Sequence, residues 1–373
     1  MTNRIATLAV ILAVIPALST TLHVPSGQAT LQAGLNAAVP GDTVLVACGT
    51  YYEHDIIMAD GVHLLSETGD SDCVTIDAER LGRGFICMNH EFVAQLEGFT
   101  VTGGYAEPGE NYGGGFYCDS ASPRIANCRF TANEADYRGG GLFLQYSEAE
   151  IVDCIFTDNL AGNGGGGGMG TQGSDFYLAD CVFLDNEGID AGGLWISHGT
   201  PTVLRCLFAN NDAMFWGGGL VCSSEASALI RQCTFIGNDA YEGGGAWVNY
   251  HSSPIFENCI LAFNQDGTGV WVNDNGNTPS FTCCDFYGNA DGNFGGSVED
   301  QTGLNGNISS HPLFCDQNEG DLTLSTGSPC LPENNDCGVL MGVYELGCEN
   351  PTSIPGGEFA VEESTWSRVK ALF

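Results

Sequence analysis

The sequence predicts an all-β fold, a parallel β-helix of about ten coils with roughly 26 residues in each coil. A cysteine is followed five residues later by an asparagine in seven units, and successive cysteines are 25 to 27 residues apart. Glycine clusters recur at the same spacing. Each unit holds three short apolar stretches, which favours three strands per coil over a four-stranded propeller blade. The repeated residues are Cys128, Cys154, Cys181, Cys206, Cys233, Cys259 and Cys284, with Asn133, Asn159, Asn186, Asn211, Asn238, Asn264 and Asn289.

Alternation along each strand assigns these residues to the inside or the outside of the coil. The apolar residues that follow each glycine cluster, such as Phe116 and Leu142, are expected to face the core. The repeated cysteines, and the phenylalanines that follow most of them by two residues, are expected to face inward as well. The asparagines fall where each coil turns, and we expect their amides to hydrogen-bond to one another as a ladder.

Both ends of the solenoid differ from the repeat. Residues 29–39 show an amphipathic pattern with Leu31, Leu35 and Val39 on one face, which predicts a helix that caps the first coil. Apolar residues between 312 and 330 are expected to close the last coil.

The termini predict an exported protein. Residues 1–19 have the basic start, the short apolar stretch and the small-residue cleavage site of a secretory signal peptide. Residues 20–348 are assigned to the β-helix, and residues 349–373 to a linker and a short helical tail. We expect this tail to be a sorting signal read by the export machinery or, alternatively, a cap on the last coil. No other apolar run is long enough to span a membrane, so the mature chain is expected outside the cell or on its surface.

The charge balance excludes some partners. The chain has 10 Lys and Arg residues against 46 Asp and Glu residues, a formal charge of −36. Nucleic acids and anionic membranes are bound through basic residues, so neither is expected as a partner. Acidic polysaccharides are disfavoured for the same reason.

Several motifs resemble those of secreted right-handed β-helix proteins of the pectin-lyase-like superfamily. The opening carries this resemblance, with Ala29-Thr-Leu-Gln, Pro40-Gly-Asp-Thr-Val and Gly49-Thr-Tyr. The paired motifs Gly140-Gly-Leu and Phe156-Thr-Asp-Asn resemble the repeats of chlamydial polymorphic outer-membrane proteins. The first resemblance implies a right-handed coil, and the second implies a surface-displayed domain used in adhesion. The superfamily includes enzymes, adhesins and scaffolds, so the fold alone does not choose among these functions.

The repeat region shows no recognisable catalytic constellation. The resemblance implies that a lyase would need cations beside the substrate carboxylate and a base for its α-proton. The arginines of the repeat fall at different points of the unit, so we do not expect them to line one groove; they are Arg124, Arg129, Arg138, Arg205 and Arg231. We expect a protein that binds glycans or surfaces, as an adhesin or a scaffold. The alternative is a lyase or glycoside hydrolase of the pectin-lyase-like class that acts on a neutral or weakly charged polysaccharide.

A row of aromatic residues is the candidate binding face. They lie between the two inward positions after each glycine cluster, so they are expected to point outward beside a polar row that includes Gln172. Rings provide apolar contact with sugars, and carboxamides provide hydrogen bonds. Alternatively, the rings only pack against one another or beneath a loop. The candidate ligand-binding residues are Tyr117, Phe143, Trp195, Trp247, Trp271, Gln145, Asn249 and Asn273.

Acidic residues follow four of the ladder asparagines. Like charges stacked at the spacing of neighbouring strands raise carboxyl pKa values or recruit a divalent cation. One hypothesis is therefore a calcium site at Glu134, Glu187, Asp212 and Asp239, and the other is a solvated acidic edge. No further cofactor is expected.

The 17 cysteines form two groups. Those of the repeat lie in inward columns whose side chains run parallel, so we interpret them as buried thiols. Disulfides are expected outside the repeat, and the pair Cys330–Cys337, which closes a short loop, is the first candidate.

Overall fold

The computed structural model describes residues 19–109 and 111–351 and confirms the predicted parallel β-helix. Of the predicted signal peptide only residue 19 is described, and the predicted helical tail lies outside the described residues. Among the residues described, no helix is long and apolar enough to cross a membrane.

In the described part of the chain, four parallel sheets run along the solenoid axis, because each strand pairs with the equivalent strand of the next coil. Sheet A contains Thr21–Val24, Thr43–Val46, His63–Ser66, Gln95–Glu97, Arg124–Ala126, Glu150–Val152, Tyr177–Ala179, Thr202–Leu204, Leu229–Arg231, Ile255–Glu257 and Ser280–Thr282. Sheet B contains Gly49–Tyr51, Val74–Asp77, Phe99–Thr102, Arg129–Thr131, Ile155–Thr157, Val182–Leu184, Leu207–Ala209, Thr234–Ile236, Ile260–Ala262 and Asp285–Tyr287.

Sheet C supplies the third strand of the coil, and sheet D adds a short fourth strand, which the sequence did not predict, in six of the described coils. Sheet C contains Ile56–Ile57, Phe85–Met88, Phe116–Asp119, Leu142–Gln145, Met169–Gln172, Leu194–Ser197, Leu220–Ser223, Ala246–Val248, Val270–Val272 and Phe294–Gly296. Sheet D contains Tyr105–Ala106, Glu134–Ala135, Leu160–Ala161, Glu187–Gly188, Asp212–Trp216 and Asp239–Glu242.

The number of coils is larger than predicted. Sheet A alone holds eleven strands within the described residues, so the solenoid has at least eleven coils rather than about ten. The first strands of this sheet lie before residue 67, where the cysteine and asparagine markers of the repeat are absent. The backbones of these strands still pair with those of the next coil, although their side chains do not follow the repeat.

The core consists of stacked columns of side chains. Phe156, Phe183 and Phe208 occupy equivalent positions in successive coils, and their ring centroids are 4.6 and 4.8 Å apart. The seven cysteines of the repeat lie in a neighbouring column and are all buried. Parallel pairing in register therefore aligns identical side chains along the axis.

The asparagine amides form a continuous ladder. The Nδ2 of Asn159 donates to Oδ1 of Asn186 at 2.9 Å, and the Nδ2 of Asn186 donates to Oδ1 of Asn211 at 2.9 Å. Six of the seven Nδ2 groups also donate to a backbone oxygen of an earlier coil, as Asn186 does to Phe156 at 2.9 Å. The same amide-to-amide bond links all seven asparagines from Asn133 to Asn289. These buried amides are thus satisfied across coils.

The predicted N-terminal helix is present and shorter than expected. It spans Leu31–Ala37, and the side chain of Thr30 accepts a hydrogen bond from the N–H of Ala33 at 3.0 Å, as an N-cap does. Leu31 and Leu35 are buried against the core. Val39 is 53% exposed, contrary to the prediction, because the helix ends before it.

The C-terminal residues do not close the last coil as predicted. Residues 308–348, here called the C-terminal cover, pack their apolar side chains against outward residues of sheet B, such as Leu207 and Ile260. The cover contains a three-stranded sheet and two short 3-10 helices; the strands are Phe314–Asp316, Asp321–Ser325 and Leu346–Cys348, and the helices are Gln317–Glu319 and Pro332–Asn334. Sheet B has an apolar outer face in these coils because the cover occupies it.

The disulfides differ from the predicted pairing. Cys337 is bonded to Cys283, and Cys330 is a buried thiol. Cys283 lies at a corner with positive φ, so its side chain leaves the coil, whereas that of Cys284 enters the core. The other disulfides in the described chain are Cys48–Cys73 and Cys315–Cys348.

Candidate functional site

The outer face of sheet C carries the residues of the predicted binding face in two parallel rows. Strand pairing places each row at the same position of successive coils. The aromatic row is Tyr117, Phe143, Gly170, Trp195, Val221, Trp247 and Trp271. The polar row is Asp119, Gln145, Gln172, Ser197, Ser223, Asn249 and Asn273.

Most of the aromatic row is buried, which corrects the prediction that it is exposed. Phe143, Trp195 and Trp247 are only 0%, 6% and 1% exposed. Tyr117 and Trp271, near the two ends of the row, are half-buried. The three buried rings therefore stabilise the fold and are not available as a platform for a sugar.

These rings are buried by residues at the ends of sheet D strands and in the loops that follow them. The ring of Trp216 stacks on Trp247 with 5.0 Å between centroids, and the guanidinium of Arg138 lies 4.6 Å from the ring centroid of Trp195. Glycine is required where these loops return to the sheet: a Cβ on Gly141 would lie 2.5 Å from a backbone oxygen of the next coil. Strand alternation predicts that these rings point outward, but it does not predict the loop that covers them.

The polar row remains partly accessible at Gln145 and Gln172. These two residues are paired in register on neighbouring strands, and both are half-buried. Among the described residues, neither side-chain amide has a hydrogen-bond partner. Each amide offers two donors and one acceptor. Two adjacent, unsatisfied carboxamides thus face solvent on one sheet.

The other two predicted carboxamides are already engaged. Oδ1 of Asn249 accepts from the N–H of Tyr250 at 2.9 Å and from the side chain of Asn275. Oδ1 of Asn273 accepts from Nε1 of Trp271 at 2.9 Å. Asn249 and Asn273 therefore support the end of the polar row and have less capacity for a ligand.

Two exposed tyrosines beside the polar row were missed by the sequence analysis. Tyr146 and Tyr250 directly follow Gln145 and Asn249, and each is 58% exposed at a corner with positive φ. A Cβ on Gly173 would meet the ring of Tyr146 at 2.9 Å, so this ring lies across the next coil where only glycine leaves room. Their position next to the polar row in the repeat was the signal available in the sequence.

Tyr117 is the first residue of the aromatic row. Burial raises the pKa of its phenol, the charge of Asp119 raises it further, and the guanidinium of Arg83, 4.9 Å from the ring centroid, lowers it. The phenol is therefore protonated at neutral pH and can donate one hydrogen bond.

Of the four predicted calcium residues, Glu187, Asp212 and Asp239 are paired in register on neighbouring strands of sheet D, whereas Glu134 lies apart from them. Glu134 forms an ion pair with Arg80 at 2.7 Å, and Leu160 occupies the next coil between Glu134 and Glu187. Asp212 and Asp239 are neighbours, and burial raises the pKa of both carboxyls, with Asp212 adding to the effect on Asp239. No group of three or more metal-ligating side chains occurs in residues 19–109 and 111–351.

Three repeat arginines lie near sheet A at different points of its strands, because Arg124 begins a strand, Arg231 ends one and Arg205 follows one. Arg124, Arg205 and Arg231 lie on or next to sheet A, and each has a carboxylate partner. Arg205 binds Asp180 through Nε at 2.6 Å and Nη2 at 2.5 Å. These paired guanidiniums resemble a structural ion-pair row more than a site for a substrate carboxylate.

Comparison with known proteins agrees with this architecture. A family model described as "right handed beta helix region" matches residues 84–259 and 191–310. No curated protein matches the chain. One similar solved structure is the crystal structure of pectate lyase Pel9A, with 14% identity and a TM-score of 0.49; the match covers 84% of this chain and 91% of that chain. Because the family model spans more than half of the sequence, the chain belongs to the right-handed β-helix family.

Proposed function

We propose that this protein is an extracellular β-helix that binds a neutral glycan on the outer face of sheet C and does not cleave it. The observation that carries the proposal is the pair of unsatisfied carboxamides at Gln145 and Gln172. Sugar hydroxyls are both donors and acceptors, so they match the mixed hydrogen-bonding capacity of an amide. An adhesin or a surface scaffold would use such a site.

The exposed tyrosines suit the same ligand. A tyrosine ring covers the apolar face of a sugar while its hydroxyl stays in water. Tyr146 and Tyr250 are four coils apart, which is about 19 Å at the usual spacing of strands. A short linear oligosaccharide that lies along the solenoid axis would span this distance, crossing the polar row between the two rings.

Charge favours a neutral ligand. The formal charge of −36 repels polyanions, and the arginines of sheet A are already paired with carboxylates. The three disulfides support a location outside the reducing cytosol, where an export signal would deliver the chain. Recognition of the C-terminal tail by export machinery remains part of this proposal.

We expect the double variant Gln145→Ala/Gln172→Ala to weaken glycan binding about 30-fold. Loss of two or three hydrogen bonds of about 1 kcal/mol each corresponds to roughly 2 kcal/mol. The ligand would be found by screening neutral oligosaccharides of glucose, xylose and mannose, and its affinity measured by titration calorimetry.

The matched control is Gln232→Ala, which removes a half-buried glutamine beside sheet A. Equal losses in this control and in the double variant would place the ligand elsewhere. Release of shorter sugars from a bound oligosaccharide would instead favour the enzyme alternative and contradict binding without cleavage.

A further inference from the structure

A fully buried carboxyl group lies between the solenoid and the C-terminal cover. Asp285 belongs to the last strand of sheet B and occupies the outward position next to Ile260. Its side chain is 0% exposed, because the cover lies over it. The surrounding interface is largely apolar, with the buried hydroxyl of Thr234, two coils away, accepting a hydrogen bond from the N–H of Val343, and nothing in the proposed glycan site uses Asp285.

The cover supplies both hydrogen bonds to this carboxyl group. The N–H of Ser310 donates to Oδ1 at 3.0 Å, and the thiol of Cys330 donates to Oδ2 at 3.3 Å. Cys330 itself is held by its N–H, which donates to the hydroxyl of Ser328 at 3.1 Å. Release of the cover would therefore remove both partners of Asp285 and admit water to it.

No basic residue compensates the carboxyl group. Among the described residues, no lysine or arginine forms an ion pair with Asp285. The titratable groups on the surrounding elements are the thiol of Cys330 from the cover, Tyr287 from the same strand and His311, whose ring contacts Phe263 and Tyr287. A buried and unpaired carboxylate is costly, so the site favours the neutral acid.

We propose that the C-terminal cover is a pH-sensitive latch, docked on sheet B while Asp285 is protonated and loosened when that carboxyl group loses its proton. The disulfide between Cys283 and Cys337 joins the cover to the last coil, two residues before Asp285 in the sequence. The opened cover thus stays attached and can return. Opening would expose the apolar outer face of sheet B, including Leu207 and Ile260.

The expected direction follows from the protonation of the two states. Burial raises the pKa of Asp285 from 3.8 to about 7 in the docked state, against smaller lowering effects of the bonds from Ser310 and Cys330. When the cover opens, the carboxyl group of Asp285 regains the ordinary, lower pKa of an aspartate. At pH values between these two pKa values, the open state therefore binds fewer protons than the docked state. Opening becomes easier as the pH rises through this window and changes little above it.

The test is native-state hydrogen exchange of amides in residues 308–348, corrected for intrinsic exchange rates. We expect their opening constant to rise about 50-fold from pH 5 to pH 7 and only about twofold from pH 7 to pH 8. Core amides beside the asparagine ladder serve as the internal reference. The variant Asp285→Asn keeps the shape without the charge and should remove the pH dependence.

A second variant keeps the proposal testable if Asp285→Asn does not dock its cover. Cys330→Ala removes a hydrogen bond that favours the ionised carboxylate, so the upper end of the transition should move to higher pH. A pH-independent opening constant in the natural protein would overturn the latch. Persistence of the dependence in a docked Asp285→Asn variant would also overturn it and assign the titration to another group, such as His311.

Discussion

Phe183→Ala is expected to lower the free energy of unfolding by about 3–5 kcal/mol, the cost of deleting a large core side chain without collapse of the space. The ring of Phe183 is fully buried and stacks between Phe156 and Phe208 at 4.6 and 4.8 Å. Neighbouring coils cannot close the gap, because backbone pairing fixes their spacing. Urea unfolding followed by circular dichroism measures the change.

Tyr146→Ala is the control for this substitution. It removes an aromatic ring from an exposed corner, so its effect on stability should stay within about 0.5 kcal/mol. If Phe183→Ala were as mild as this control, the column of stacked phenylalanines would not carry the stability assigned to it.

Asn186→Ala is expected to lower the free energy of unfolding by about 4 kcal/mol. The substitution removes the bonds that the side chain of Asn186 makes to the backbone oxygen of Phe156 and to the backbone N–H and Nδ2 of Asn159. Oδ1 of Asn211 loses one of its two donors and keeps the backbone N–H of residue 186. Each unsatisfied buried group costs about 1–3 kcal/mol. The same urea titration provides the measurement.

An exposed asparagine provides the comparison. The Nδ2 of Asn163 donates to the backbone oxygen of Asp136 at 3.1 Å and to its carboxylate at 3.3 Å, both at the exposed surface, and Asn163→Ala should cost less than about 1 kcal/mol. A similar small cost for Asn186→Ala would mean that water satisfies the broken ladder and that the ladder is dispensable.

The interior of the solenoid was predictable because its pattern is local and repeated. The spacing of Cys181 and Asn186 recurs in every unit of the repeat, and parallel pairing converts that spacing into stacked columns. The first coils were undercounted because their side chains do not repeat, whereas backbone hydrogen bonds require no particular side chain.

The outside of the solenoid was less predictable because it depends on contacts between distant segments. Alternation along the strand shows that Trp247 points away from the core, but the ring of Trp216 that covers it comes from the end of a sheet D strand. The same reason applies to Cys337, whose partner Cys283 is 54 residues away, and to the C-terminal cover on sheet B. The periodicity of a strand shows which face a residue occupies, but it does not show which distant residue packs against that face.

The candidate site was predictable only in part. Gln145 was identified from its place in the polar row, and that row is where the sequence predicted it. Whether a ligand can reach Gln145 and Tyr146 depends on where the covering loops end and on the room that Gly173 leaves for the ring of Tyr146. The sequence could therefore locate the face, but only the packing shows which of its residues a ligand can reach.

A crystal structure with the bound oligosaccharide identified by the screen tests the central claim most directly. The account predicts an intact sugar chain along the solenoid axis on sheet C, with hydroxyl groups within ~3.2 Å of the carboxamides of Gln145 and Gln172. A ring of the sugar should lie against Tyr146. A ligand bound instead beside the arginines of sheet A, or found cleaved, would contradict the account.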